Sequence, residues 1–219
     1  MPDNSRSDKE IAELRREYSR QVLAESEVAA HPIDQFTQWF QQALSAELLD
    51  ANAMTLATAN KDGQPSSRIV LLKGVDENGF RFYTNYNSRK GQELTENPHA
   101  ALCFYWAPLE RQVRIEGKVA KLSQAASKEY FKQRPRESQL GAWASKQSSK
   151  VGTREALENR FNEIKERFEG QEVPLPEFWG GFLLRPHRVE FWQGREGRMH
   201  DRICYEKKDD RWNIFRLAP

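Results

Sequence analysis

A chain of 219 residues suffices for one large domain or two small ones with a real core. Its 34 basic and 32 acidic side chains leave a formal charge of +2, so net charge alone does not hold it to nucleic acid, and any polyanion site must come from local clustering of cations. No run of 18 apolar residues is present, which excludes a transmembrane helix, and the opening MPDNSRSDKEIAELRREY lacks the apolar stretch of a secretory signal. Cys103 and Cys204 form no CxxC pair and read as buried, reduced thiols of a cytoplasmic protein. His31, His99, His187 and His200 lack ligand spacing, so no metal site is expected.

Residues 1–30 are polar and read as a partly flexible arm, with 31–219 expected as a single domain. Ile11, Leu14 and Tyr18 have helical spacing in the arm, and His31-Pro32 ends it. Phe36, Trp39, Phe40, Ala43, Leu44 and Leu48 mark one face of an amphipathic helix. AMTLATA (53–59), SSRIVLLK (66–73) and FRFYTN (80–85), joined by Gly-containing turns, predict a meander of three strands. Ser88 caps a helix that Asn97-Pro98 stops. AALCFYW and RQVRIEGKVAKL read as a strand pair, and Ser123 opens a helix through Tyr130 and Phe131. An irregular stretch follows. Thr153 then opens a helix with Leu157, Phe161, Ile164 and Phe168 on one face and Gly170 at its end. FWGGFLL, RVEFWQG, MHDRICYE and RWNIFRL complete the strands. Short strands, tight turns and intervening helices argue for a mainly β, α+β chain, an antiparallel barrel with helices packed outside. No GxGxxG follows a strand, which disfavours a dinucleotide fold.

Four stretches carry charge that needs explaining. On the strand Arg68–Lys73, Arg68 and Val70 face one way and Ile69, Leu71 and Lys73 the other, with a cation at each end. Ser88-Arg89-Lys90 places a hydroxyl, a guanidinium and an ammonium at a helix start. Cations there oppose the helix dipole unless an anion joins them. Tyr130 and Arg134, four apart until Pro135 ends the helix, lie close to Arg136 and Ser138, a second set suited to a phosphate monoester, although solvated arginines at a helix end are the plainer reading. In 189–202, alternation puts Arg198, His200 and Arg202 on one side of an expected strand, with Trp192 as a wall and Met199, Ile203 and Tyr205 on the buried side. Two phosphate grips with aromatic walls suggest two small phosphorylated ligands side by side. A nucleic-acid groove is the competing reading, and the near-neutral charge counts against it.

The stretches RREY (15–18), RIVLLK (68–73), FYTNYNSRKGQEL (82–94), FYWAPLERQVRIEG (104–117), YFKQRPRESQLGAWASKQS (130–148), PEFWGGF (176–182), VEFWQGREGRMHDR (189–202) and RLAP (216–219) resemble the pyridoxamine 5′-phosphate oxidase family. The 189–202 stretch is its most specific signature, with Met199 where leucine is commoner. The resemblance implies an FMN-binding split β-barrel working as a homodimer with both sites at the subunit interface. It implies FMN contacts at Arg68, Ile69, Val70, Leu71, Leu72, Lys73, Tyr83, Thr84, Arg89 and Lys90, completed by Gln112, Gln147, Ser148, Trp192 and Arg202, partly from the other subunit. It implies a substrate phosphate grip at Lys73, Tyr130, Arg134 and Ser138, and a flap at Arg15, Arg16, Glu17 and Tyr18. Arg198 and His200, with Met199 between them, would lie over the pyridine ring as the catalytic pair. The implied reaction oxidises pyridoxamine or pyridoxine 5′-phosphate at C4′ with dioxygen as acceptor. The alternative is a split-barrel flavin reductase or flavin-binding protein that does not act on these vitamers, which would not need the Tyr130/Arg134/Ser138 cluster.

Overall fold

A computed structural model describes Tyr18 and residues 21–219. The expected helix through Ile11 and Leu14 lies outside the described residues.

Helix α1, Pro32–Ser45, begins where His31 Nδ1 accepts the Ile33 N–H (3.3 Å) and Pro32 fills a first-turn position that needs no amide hydrogen. Its Phe36, Trp39 and Ala43 are buried as the spacing predicts. Leu44, assigned to the same face, is 47% exposed, because a step of one residue past Ala43 rotates it to the margin of the stripe.

Nine antiparallel strands follow. They are β1 (Ala53–Ala59), β2 (Pro65–Leu71), β3 (Gly74–Asp76), β4 (Gly79–Asn85), β5 (His99–Trp106), β6 (Arg111–Lys121), β7 (Trp179–Gln193), β8 (Asp201–Lys208) and β9 (Arg211–Arg216). Their order is β2-β1-β5-β6-β7-β4-β3, with β8 beside β7 and β9 beyond it. The sheet curls on itself. Leu72 N–H bonds Asn52 O and the next residue, Lys73, bonds Arg81 O, each at 2.8 Å, so residues 72–73 step from the β1 edge to β4. Among the described residues five α-helices pack around the curl, as expected for a split barrel of the α+β class: α1, α2 (Arg89–Glu96), α3 (Gln124–Gln133), α4 (Arg136–Ala144) and α5 (Arg154–Arg167). Ser88, Ser123 and Thr153 cap α2, α3 and α5 through side-chain oxygens. No helix among the described residues is long and apolar enough to cross a membrane.

Several expectations need correction. Residues 53–85 are not a three-strand meander: β1 and β2 form a hairpin, but β4 pairs with β3 and β7. Hairpin signals specify local turns, and closure of the curl overrides the simplest local continuation. The two strands expected in 178–194 are one strand of 15 residues that runs through Pro186, tolerated where the β6 register shifts between Glu116 and Gly117. The stretch after Pro135 is not irregular but helix α4, with only Leu140 and Ala144 buried. Arg198 and His200 precede β8 rather than alternating within it. Arg198 adopts φ +62° in a short 3-10 turn, and Met199 is 68% exposed, not buried. Gly197 beside it also has positive φ, and two left-handed residues in succession break an extended strand. Cys204 is buried, but Cys103 is only partly so.

Two apolar cores result. The larger fills the barrel with Phe36, Phe80, Phe82, Phe104, Phe191, Leu56 and Ile115. The smaller joins α3–α5 to the start of β7 through Phe131, Leu140, Phe168, Val173 and Trp179. Burying each such side chain contributes roughly 1.5–3 kcal/mol, so both units are held by their own packing. The gap between them contains the site.

Candidate functional site

A cleft of about 760 Å³ lies between β2, β4, α2 and the α3–α4 junction. Twelve of the expected residues line it: Arg68, Ile69, Val70, Leu71, Lys73, Tyr83, Thr84, Lys90, Tyr130, Arg134, Ser138 and Gln147. Strand parity holds along β2, where Arg68 and Val70 are half-buried and Ile69 and Leu71 exposed.

One end of the cleft is cationic and heavily bonded. Arg68 donates through Nη1 to Leu56 O (3.3 Å) and Thr58 Oγ1 (2.5 Å), and through Nη2 to Ser66 Oγ (2.5 Å). Its Nη2 also reaches Glu93 Oε2 at 3.4 Å. Lys90 is buried, and its Nζ donates to Thr84 Oγ1 and Gln147 Oε1, both at 3.2 Å. Burial, with repulsion from Arg68, pushes the Lys90 ammonium below its ordinary value. The Ser88 hydroxyl that starts α2 is spent on the fold, accepting from Gly91 N–H and donating to Asn85 O.

The other end is aromatic and unfinished. Tyr83 stacks on Tyr130 at 3.8 Å between centroids, and Trp179 continues the stack. The Arg134 guanidinium lies 4.5 Å over the Trp179 ring. Its Nη1 is buried without a hydrogen-bond partner among the described residues, and burial pushes its pKa down. The helix face shared by Tyr130 and Arg134 persists because Arg134 is the C-cap residue of α3 and Pro135 begins the turn into α4. Arg136 does not join this set. It donates to Phe168 O (2.5 Å) and Gln171 O (2.9 Å), satisfying carbonyls past the end of α5.

The remaining expected residues lie elsewhere. Leu72 points into the barrel core. Arg89 and Ser148 face an adjoining hollow that shares Gln147 with the cleft, and Ser148 adopts φ +70°. Gln112, Trp192 and Arg202 form one row across β6, β7 and β8, with exposed Tyr105 next in line on β5. His200 packs against Trp192 (4.7 Å) and Tyr18 (5.6 Å). The Arg195 N–H donates to His200 Nδ1 at 3.1 Å. Burial, then the Arg198 charge, lowers the His200 pKa. Arg15, Arg16 and Glu17 lie outside the described residues.

Two buried carboxylates were not foreseen. Glu93 gathers Thr58, Ser66, Arg68 and Arg89. Glu190 holds Arg202 in a two-point pair at 2.9 and 3.0 Å, which raises the Arg202 pKa, and Ala218 O takes the Arg202 Nη1. The signal for Glu93 was its place four residues after Arg89 on one helix face, and for Glu190 its place opposite Arg202 within two residues of register.

The cationic end, with guanidinium, ammonium and amide groups around one opening, suits a phosphate monoester. The buried, partnerless Arg134 Nη1 at the other end suits a second anion. Comparison with known proteins agrees with that chemistry. Residues 40–168 match the family described as pyridoxamine 5′-phosphate oxidase, and residues 179–219 match the pyridoxine 5′-phosphate oxidase C-terminal dimerisation region. A pyridoxine/pyridoxamine 5′-phosphate oxidase of Acaryochloris marina is 56% identical over 209 residues, 95% of each chain. One of Rubrobacter xylanophilus is 55% identical over the full length of both. The crystal structure of PhzG from Burkholderia lata, in complex with tetrahydrophenazine-1-carboxylic acid, superposes with a TM-score of 0.87 at 32% identity, covering 92% of this chain and 100% of that one. With both segments matched and relatives aligned over nearly its whole length, the chain belongs to the pyridoxine/pyridoxamine 5′-phosphate oxidase family.

Proposed function

We propose that the protein is an FMN-dependent oxidase that converts pyridoxamine 5′-phosphate or pyridoxine 5′-phosphate to pyridoxal 5′-phosphate. Dioxygen is reduced to hydrogen peroxide, and the amine substrate also takes up water and releases ammonia. The carrying observation is the cleft with a cationic cluster at one end and, at the other, Arg134, whose buried Nη1 has no hydrogen-bond partner among the described residues. When bound, FMN supplies the two-electron acceptor that dioxygen restores.

Arg68, Lys90, Thr84 and Gln147, with Arg89 and Ser148 from the adjoining hollow, hold the flavin phosphate. The Ile69–Leu71 edge, with Tyr83, bounds the space for its ring. Arg134, Tyr130, Ser138 and Lys73 grip the substrate phosphate. Binding energy gathered there, away from C4′, orients the reacting carbon. A reductase acting on flavin alone would give Arg134 no anion to meet.

The working form is a homodimer. Three things support this reading: the match to the dimerisation region, the exposure of Ile69 (65%) and Leu71 (40%), and the placing of Gln112, Trp192 and Arg202 on a separate row of the same sheet. In the dimer that row, with Arg198, Met199, His200 and Tyr18, completes the cleft of the other copy. His200 accepts at Nδ1, so its neutral ring carries the proton at Nε2 and offers it as a hydrogen bond to the substrate oxygen or nitrogen, while Arg198 adds positive charge. Tyr18, packed edge-on against Trp192 and His200, adds an aromatic wall to that row. Two free cysteines fit a reducing, cytoplasmic setting.

Aerobic incubation with pyridoxine 5′-phosphate, with and without added FMN, tests this reading. Equal amounts of aldehyde and peroxide, dependent on FMN, are expected. A colourless protein that stays inert with flavin and either ester would overturn it.

A further inference from the structure

Glu93 on α2 is 5% exposed and bonds both Arg68, which lines the cationic end of the cleft, and Arg89, which lines the adjoining hollow. Its Oε2 accepts from Thr58 Oγ1 (2.5 Å) and Ser66 Oγ (2.7 Å), and Arg68 Nη2 approaches at 3.4 Å. Its Oε1 accepts from Arg89 Nε at 2.8 Å. The two hydroxyls in turn accept from the two ends of the Arg68 fork, at 2.5 Å each. A carboxylate has no proton to give, so both hydroxyls must point theirs at Glu93 and turn lone pairs toward Arg68. One buried charge therefore sets the direction of every bond in the relay.

The relay fixes Arg68 with one donor to spare. Leu56 O, Thr58, Ser66 and Glu93 occupy its four terminal N–H groups, and Nε–H is left without a partner among the described residues. Arg89, 61% exposed at its side chain, would otherwise swing in solvent. Burial opposes ionisation of Glu93, but the bonds from Thr58, Ser66 and Arg89 and the Arg68 charge outweigh it and hold the carboxyl at about 2.

We infer that Glu93 is a positioning residue for recognition of the flavin's 5′-phosphate: it aims Arg68 directly and through Thr58 and Ser66, aims Arg89 directly, and makes the site discriminate FMN from riboflavin. This rests on the reading that Arg68 and Arg89 meet the FMN phosphate. A carboxylate near a phosphate also repels it. In this inference the order that its four bonds give to two otherwise repelling guanidiniums outweighs that repulsion.

The test compares dissociation constants of FMN and riboflavin, read by flavin fluorescence quenching, for wild type, Glu93→Ala, Glu93→Gln and Ser66→Ala. Losing charge-assisted hydrogen bonds predicts that E93A reduces the FMN-over-riboflavin preference about tenfold, with smaller losses in E93Q and S66A. Riboflavin affinity stays at the wild-type value. S66A changes a half-exposed strand residue and keeps the test open should E93A fold poorly. An unchanged preference, an equal fall for both flavins, or tighter FMN binding would overturn the inference. A wild type that does not prefer FMN would instead overturn the functional reading beneath it.

Discussion

The two ends of the cleft both gather cations, but they are neutralised differently. At the β2–α2 end, Arg68 and Arg89 share the buried Glu93 carboxylate. At the α3–α4 end, Arg134 has no carboxylate partner among the described residues, leans on the Trp179 ring and leaves Nη1 unbonded. A cation paired within the fold costs little to keep without a ligand. A half-buried guanidinium with an orphan N–H costs free energy until an anion arrives. The first arrangement suits a resident cofactor whose pocket is built with the barrel. The second suits a substrate that comes and goes, because the cost relieved on binding adds to affinity for the phosphorylated ligand.

The largest expected effect of this contrast is at Arg134. Arg134→Ala should raise the KM for pyridoxine 5′-phosphate about 100-fold, as expected for two charge-assisted bonds, while FMN affinity stays within error. Steady-state kinetics on FMN-saturated enzyme would show it, and an unchanged KM would remove Arg134 from the phosphate grip.

A smaller effect distinguishes the paired end by pH. The Glu93 carboxyl is lowered from 4.5 to about 2, so its stabilising contribution is complete above 4.5 and is lost as pH falls toward 2. Wild-type Tm should therefore fall more steeply across that window than the Tm of Glu93→Gln. Parallel curves would show that the carboxylate gains nothing from its four donors.

The smallest effect is expected at Arg136, which lies two residues past Arg134 but bonds only carbonyls. Arg136→Ala should cost about 1–2 kcal/mol of stability, the range for two lost hydrogen bonds, and leave both the KM and FMN affinity unchanged. A rise in KM would mean that the phosphate grip extends beyond Arg134 and that the contrast between the ends is drawn in the wrong place.

Sequence made the local parts of this site readable. Ser88, Ser123 and Thr153 announced their helices because a cap is a short-range hydrogen bond. Arg68 and Ile69 separated by strand parity, and Tyr130 and Arg134 joined by helical spacing. Family resemblance gathered the twelve cleft residues. The sequence did not reveal what depends on closure of the sheet. Glu93 carries no local signal of its bonds to Thr58 and Ser66, which reach it only through the pairing of β1 and β2. FWGGFLL and RVEFWQG read as two strands, yet they are one that passes Pro186 at the β6 register shift. Arg198 and His200 looked like strand residues because alternation cannot report a left-handed backbone at Arg198. Helix α4 escaped notice because only Leu140 and Ala144 reach a core, too few for a periodic signal.

The central claim is that a phosphate held at Arg134 places the substrate for oxidation, and a substrate pair differing only in that phosphate tests it most directly. Peroxide release by the FMN-loaded dimer should favour pyridoxine 5′-phosphate over pyridoxine by at least about 100-fold in kcat/KM, as remote phosphate binding energy is spent on orientation. Comparable oxidation of the two alcohols, or of neither, would contradict the account.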